Sequence, residues 1–178
     1  MLSPDTTILV VTDVQEKLLP AIHESDRLVD SLRRLIEGIL ILDVPIIWTE
    51  QNPRGLGPTT GELSELMASE PITKMTFSSW GEPEFRETLG ASGRNQVLLA
   101  GIETHVCVYQ TAADLRSEGF EVQIVADAVG SRLPGNREVG IGKARELGAS
   151  VTCYETVLFE LLETAEGEKF KKILQVVK

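Results

Sequence analysis

Cys107 carries the best nucleophile in the chain. It closes the string Gly101-Ile-Glu-Thr-His-Val-Cys107, where a short apolar run gives way to a helical period, so the sulfur is expected within about the first turn of a helix. Unpaired backbone N–H groups and the helix dipole favour negative charge there and can lower a thiol from its free pKa of about 8.5. The same N–H groups suit the oxyanion that forms when sulfur attacks a carbonyl. Free cysteine is equally a small, commonly buried apolar residue, and position alone does not decide between the two roles. Asp13 ends the apolar run Val11-Thr-Asp-Val-Gln15 and could take a proton, or could cap the following segment. Lys74, in Pro71-Ile-Thr-Lys-Met-Thr-Phe77-Ser-Ser-Trp80, could supply a fixed positive charge. Its alternative is a surface lysine whose stem packs over Met75 or Phe77 while its head stays wet.

These residues need elements to position them. Five brief apolar runs bounded by turn signals read as buried strands: Thr7 to Thr12, Pro45 to Thr49, Gln96 to Gly101, Glu121 to Ala126 and Ala149 to Tyr154. Continuous apolar runs fit a parallel sheet covered on both faces better than a sheet with one wet side. Between them, Ser25 to Leu42 sets Leu28, Leu32, Leu35, Ile36, Ile39 and Leu42 on one helical stripe, and Thr104 to Glu118 and Arg137 to Gly148 read as further helices. Gly119 and Gly148 mark helix ends. The expected fold is α/β: a three-layer, open, mostly parallel sheet with helices on both faces. Ligands in such folds sit at the carboxyl ends of strands, which is where Asp13 and the Gly101 to Cys107 turn fall.

Composition limits the function classes. The chain has 178 residues, 42% hydrophobic and 25% charged, with no linker-like stretch or repeat, so a single domain over 1–178 is expected. Seventeen basic against twenty-seven acidic residues give a net charge of −10, the wrong sign for nucleic acid or an anionic membrane surface. No apolar run approaches the ~20 residues of a membrane helix, and no signal peptide is recognisable, so a cytoplasmic location is expected. In that compartment Cys107 and Cys153 need not form a disulfide.

Taken together, Asp13-Val-Gln15, Lys74 with Phe77-Ser78, Gly101-Ile-Glu-Thr-His-Val-Cys107-Val with Thr111-Ala, and Val125-Ala-Asp127-Ala resemble the isochorismatase-like cysteine hydrolases. Thr49-Glu-Gln-Asn-Pro-Arg-Gly-Leu-Gly-Pro58, Thr156-Val-Leu-Phe-Glu-Leu-Leu162 and Lys169-Phe-Lys-Lys-Ile173 are similar to the isochorismatase-domain-containing branch. The resemblance runs almost end to end and implies that family's Rossmann-like hydrolase fold. It implies a triad of Asp13, Lys74 and Cys107: sulfur as nucleophile, Asp13 as proton acceptor and later activator of water, Lys74 as electrostatic holder. It also implies a cis peptide at Ile102-Glu103, which would aim the Glu103 and Cys107 N–H groups at an oxyanion, and it implies a homo-oligomer. Reaction would pass through a thioester-like acyl-enzyme.

Departures from related patterns narrow the chemistry. Nicotinamidases of the superfamily hold a metal through an aspartate and histidines after the second strand, where this chain has Thr49-Glu-Gln-Asn-Pro-Arg54. With only His23 and His105 present, no metal and no cofactor are expected. His105, two residues from Cys107, points to another helix face and reads as a packed or partly solvated residue. Vinyl-ether-cleaving isochorismatases generally lack the cysteine, so a small amide, imide, carbamoyl or related acyl substrate is the better match. Gln15, Glu50, Gln51, Phe77, Trp80, Ile102 and Thr104 are candidate substrate contacts; Phe77 and Trp80 could equally be core, and Thr104 a helix cap. Arg54-Gly-Leu-Gly57 lacks a phosphate-loop signature. Two other readings remain open: a noncatalytic small-molecule binding or interaction protein on this scaffold, and a thiol redox sensor. The apolar positions of Val157 to Leu162 and Phe170 to Leu174 could serve an interface or complete the core.

Overall fold

The computed structural model describes residues 1–178. Six strands, β1 (Thr7–Thr12), β2 (Ile46–Gln51), β3 (Ile72–Lys74), β4 (Gln96–Ile102), β5 (Glu121–Gly130) and β6 (Ser150–Thr152), pair in the order β3-β2-β1-β4-β5-β6. Every pairing is parallel. The helices are α1 (Ser25–Ile41), α2 (Pro53–Leu56), α3 (Gly61–Ser64), α4 (Pro83–Ser92), α5 (Tyr109–Ser117), α6 (Pro134–Glu146), α7 (Tyr154–Leu162) and α8 (Gly167–Val177). Chain order crosses the sheet outwards from β1 in both directions, so the carboxyl ends of β1 and β4 flank the point where the winding reverses. That switch point is where an open α/β sheet leaves a crevice.

Both faces of the sheet are dry because strand side chains alternate between two apolar layers. On one face Leu9, Val11, Leu98, Ala100 and Ile102 meet the apolar stripe of α1 and residues of α7 and α8. On the other, Ile8, Val10, Val97 and Leu99 meet Phe85 and Leu89 of α4, Ala112 and Leu115 of α5, and Ile141 and Ala144 of α6. The sheet is therefore the middle of three layers, as the continuous apolar runs implied. Val157, Leu158, Leu161 and Ile173 are buried in the first of these layers, so the apolar carboxyl-terminal positions complete the core. No helix is long and apolar enough to cross a membrane.

Several elements differ in extent from their apolar runs. β2 runs to Gln51, β4 to Ile102 and β5 to Gly130, each further than the apolar run, while β6 is confined to Ser150–Thr152. β3, an edge strand of three residues, and α4, whose burial is limited to Phe85 and Leu89, carry no clear period in the sequence. The helix expected from Thr104 to Glu118 is two pieces, a π-helical turn Thr104–Val108 followed by α5. Gly119 and Gly148 do end helices, with φ of 90° and 86°.

Two close approaches set the geometry at the switch point. Gly101 pairs with Thr12, and a Cβ there would lie 2.1 Å from the Thr12 carbonyl oxygen. Gly140 on α6 rests against the π turn, where a Cβ would come within 2.6 Å of the Thr104 carbonyl oxygen and 2.7 Å of the His105 nitrogen. Only glycine lets β4 meet β1, and α6 meet the π turn, at these separations.

Candidate active site

Asp13 is the first residue beyond β1 and turns into the left-handed region with φ 53°, a conformation aspartate tolerates better than most residues. Its backbone N–H donates to the Thr49 carbonyl at 3.1 Å. Its carboxylate is held from two sides: the Thr49 hydroxyl donates to Oδ1 at 2.7 Å and Lys74 Nζ donates to Oδ2 at 2.7 Å. Both oxygens are thus committed inside the sheet edge, so Asp13 is not the helix cap that its sequence position allowed.

Lys74 ends β3, paired in register with Gln51. It is 1% exposed, which excludes the wet surface lysine. A buried ammonium is costly unless oxygens replace its water. Four do so: Asp13 Oδ2 at 2.7 Å, Gln51 Oε1 at 2.8 Å, the Phe77 carbonyl at 3.0 Å and the Thr76 carbonyl at 3.2 Å. Gln51 is itself oriented by donating from Nε2 to the Met75 carbonyl at 3.0 Å.

Cys107 projects from the π turn that leaves β4 and is 7% exposed. The Ile102–Glu103 peptide bond that precedes the turn is cis. The Asp13 carboxylate and the Glu103 backbone N–H are both near enough to the sulfur to bear on its ionisation. Burial first, and then the negative charge of Asp13, push the Cys107 thiol up to about 12, against the smaller opposing pull of Lys74 and the Glu103 N–H. The lowering that a helix start can bring is outweighed here by desolvation, which favours the neutral thiol. Burial also raises the Asp13 carboxyl above its ordinary range, although Lys74 and the hydrogen bonds from Thr49 and Cys107 work the other way. A neutral thiol facing a carboxylate of raised basicity is an arrangement in which the proton can move as the sulfur attacks.

The remaining candidates divide. Gln15 is fully buried, donating to the Gln51 and Gly57 carbonyls at 3.0 and 2.6 Å and accepting from the Gln51 N–H at 2.8 Å. Glu50 accepts from the Thr59 N–H at 2.6 Å and the Thr59 hydroxyl at 2.9 Å. Both side chains fix the loop that carries α2 and α3. Ile102 lies wholly in the core, which leaves only its backbone facing the site. Thr104 donates its hydroxyl to the Gly130 carbonyl at 2.9 Å and caps no helix. Trp80 is partly buried, packing edge-on against Phe120 at 5.7 Å and against the second core layer, whereas Phe77 is 56% exposed beside the carbonyl it gives to Lys74. The Glu103 carboxylate is turned to Arg132, 3.1 Å away. His105 lies 3.1 Å from the Ser131 hydroxyl, packed as expected.

Sequence reading missed Thr49, which fixes Asp13, and Gly140, which admits α6 to the π turn. Strand register gives Thr49 its place, and only a glycine inside a helical period hinted at the other. No group of three or more His, Cys, Asp or Glu side chains converges as a metal site would require. Cys153 lines a separate cavity of about 370 Å³ beyond β5, with His23, Asp127 and Arg137.

The sequence matches the family described as Isochorismatase domain over residues 7–156. Isochorismatase domain-containing protein 1 of Danio rerio is 38% identical over 178 residues, covering 99% of this chain, which spans only 62% of that protein's length. Among solved structures, the MAR1 ribonuclease of Caenorhabditis elegans superposes with a TM-score of 0.92 at 36% identity, covering 99% of this chain and 91% of that one. YcaC from Pseudomonas aeruginosa, solved with hexane-2,5-diol and covalent acrylamide, superposes with a TM-score of 0.92 at 26% identity, covering 98% and 90%. With the family pattern spanning most of its length and an open all-parallel α/β sheet to match, this chain belongs to the isochorismatase family, on a hydrolase-type scaffold.

Proposed function

We propose that the protein is a cofactor-independent cysteine hydrolase of small amide, imide, carbamoyl or related acyl substrates. The observation that carries this reading is a buried Lys74–Asp13 ion pair at 2.7 Å whose carboxylate faces the Cys107 thiol at the sheet's switch point. Cys107 Sγ attacks the substrate carbonyl as its proton passes to Asp13, and the carbonyl oxygen takes the negative charge near the Glu103 and Cys107 N–H groups. Collapse expels the amine or equivalent leaving group, which takes the proton from Asp13 and leaves a thioester. Water then gives a proton to Asp13 as it attacks the thioester, and the returning thiol recovers that proton. Lys74 stabilises the charge that moves between its neighbours.

The covalent acrylamide described for the P. aeruginosa relative supports a reactive group in a protein of this fold. The C. elegans relative's description as a ribonuclease raises a second reading, RNA cleavage. A net charge of −10 opposes a polyanion, so the acyl reading is preferred. A homo-oligomer in the reducing cytoplasm completes the proposal, with light-scattering mass as its check. The functional test is a panel of amides, imides, carbamoyl compounds and RNA incubated with wild-type protein and with Cys107→Ala. Hydrolysis of a carbonyl substrate that disappears in Cys107→Ala is expected; RNA cleavage, or hydrolysis indifferent to the substitution, would overturn it.

A further inference from the structure

The loop between β3 and the 3-10 turn Ser79–Gly81 poses a packing problem. Met75 and Phe77 are 68% and 56% exposed, yet the same segment delivers the Thr76 and Phe77 carbonyls to the most deeply buried charge in the protein. An ammonium has three protons to share among four oxygens, so small shifts of this loop redistribute its hydrogen bonds and move its charge relative to Asp13 and Cys107. Something must hold the loop from behind.

Two contacts from α5 do so. The Ser78 hydroxyl donates to Asp114 Oδ2 at 2.6 Å, a short bond of the kind a carboxylate acceptor makes, and Ser78 is 8% exposed. The backbone N–H of Ser79 donates to the buried Thr111 hydroxyl at 2.9 Å. Thr111 and Asp114 are three residues apart and so share one face of α5, the helix that continues directly from the π turn bearing Cys107. The continuous helical segment from the π turn through α5 therefore carries Cys107 at its start and grips the lysine's carbonyl cradle a turn or two later. Thr76 stiffens the span between by donating its hydroxyl to the Ser78 carbonyl at 2.8 Å.

We propose that Asp114, acting through Ser78 and assisted by Thr111, is a positioning residue that fixes the Lys74 ammonium relative to Cys107. The inference rests on the Cys107 reading above, and its test separates the two. All proteins carry Cys153→Ser, so that Cys107 is the sole thiol. Hydrogen exchange of residues 75–79 and the rate at which iodoacetamide labels Cys107 at neutral pH are compared for the parent, Asp114→Ala, Ser78→Ala, the Asp114→Ala/Ser78→Ala pair and Asp114→Asn. Asp114→Ala and Ser78→Ala are each expected to speed exchange of 75–79 and to slow labelling by about tenfold, the scale of one hydrogen bond to a charged group. The pair should be no worse than either alone, because both remove the same bond. Asp114→Asn keeps an acceptor for Ser78 and should restore both properties to within about twofold of the parent. Exchange or labelling unchanged in Asp114→Ala, or exchange accelerated uniformly across the sheet, overturns the proposal. If the parent's Cys107 does not label at all, the nucleophile reading fails, and the exchange of 75–79 alone judges the clamp.

Discussion

At the scale of single residues, the site is governed by desolvation. Cys107 and Asp13 are each pushed towards their protonated forms by burial, and Lys74 limits the shift without reversing it. Under the proposed mechanism Cys107 reacts as a thiol that gives up its proton during attack, which fixes the sign of its pH dependence. Asp13 can accept the proton only when ionised, so Cys107 alkylation should fall as pH drops through the raised Asp13 value. It should show no plateau from a free thiolate below pH about 12. In Asp13→Asn, which also tolerates the left-handed backbone, the acidic limb should vanish and the rate should simply climb with hydroxide; iodoacetamide labelling across pH measures both. Lys74→Met would leave the Asp13 carboxylate buried without its partner, and should destabilise the fold by about 3 kcal/mol or more in urea unfolding. Asp13 was legible where an apolar run stops and Cys107 at a strand-to-helix turn, whereas Lys74 joined them only through the resemblance of the motifs taken together. Their charge states were not, since a thiol at a helix start reads as acidic until the side chains stacked over it are known.

At the scale of elements, the decisive features are a three-residue strand, a widened helical turn and two glycines. β3 escaped notice because Ile72-Thr-Lys is too short to show a period, yet its register with β2 is what places Lys74 beside Gln51 and Asp13. The long apolar runs of β1 and β4 were legible for the opposite reason: strands buried on both faces leave little polar alternation. The helix after β4 was legible as a helix, whereas the π turn at its start depends on α6 pressing against Thr104 and His105 through Gly140. Gly140→Ala is therefore expected to displace that turn. It should cost about 1–3 kcal/mol of stability, the usual range for overpacking, and slow Cys107 labelling. Gly142, on the same helix with open space around it, should accept alanine without either effect.

At the scale of the whole molecule, an acidic chain encloses one buried cation at the edge of an all-parallel sheet. The family and the layer architecture were legible from end to end, because motif order and apolar periodicity both survive in a single sequence. The uses of Gln15, Glu50 and Thr104 were not. Each has the chemistry of a ligand contact, and only the folded loops reveal the backbone groups that already occupy it. The elevated Cys107 pKa also links the site to global stability. A group whose folded pKa of about 12 exceeds its reference value of 9.0 contributes stability that is complete below pH 9 and is lost as pH rises towards 12. Thermal unfolding of the wild-type protein should weaken over that interval more than that of Cys107→Ala, by at most about 1.4 kcal/mol per pH unit.

A nucleophilic Cys107 must bond covalently to its substrate through one sulfur. Once a hydrolysed carbonyl substrate is in hand, turnover should be quenched in acid within the first cycles and the protein's peptides weighed. The mass of the substrate's acyl group is expected on the peptide containing Cys107 and on no other; hydrolysis that proceeds with that peptide unmodified, and at full rate in Cys107→Ala, would rule the acyl-enzyme out.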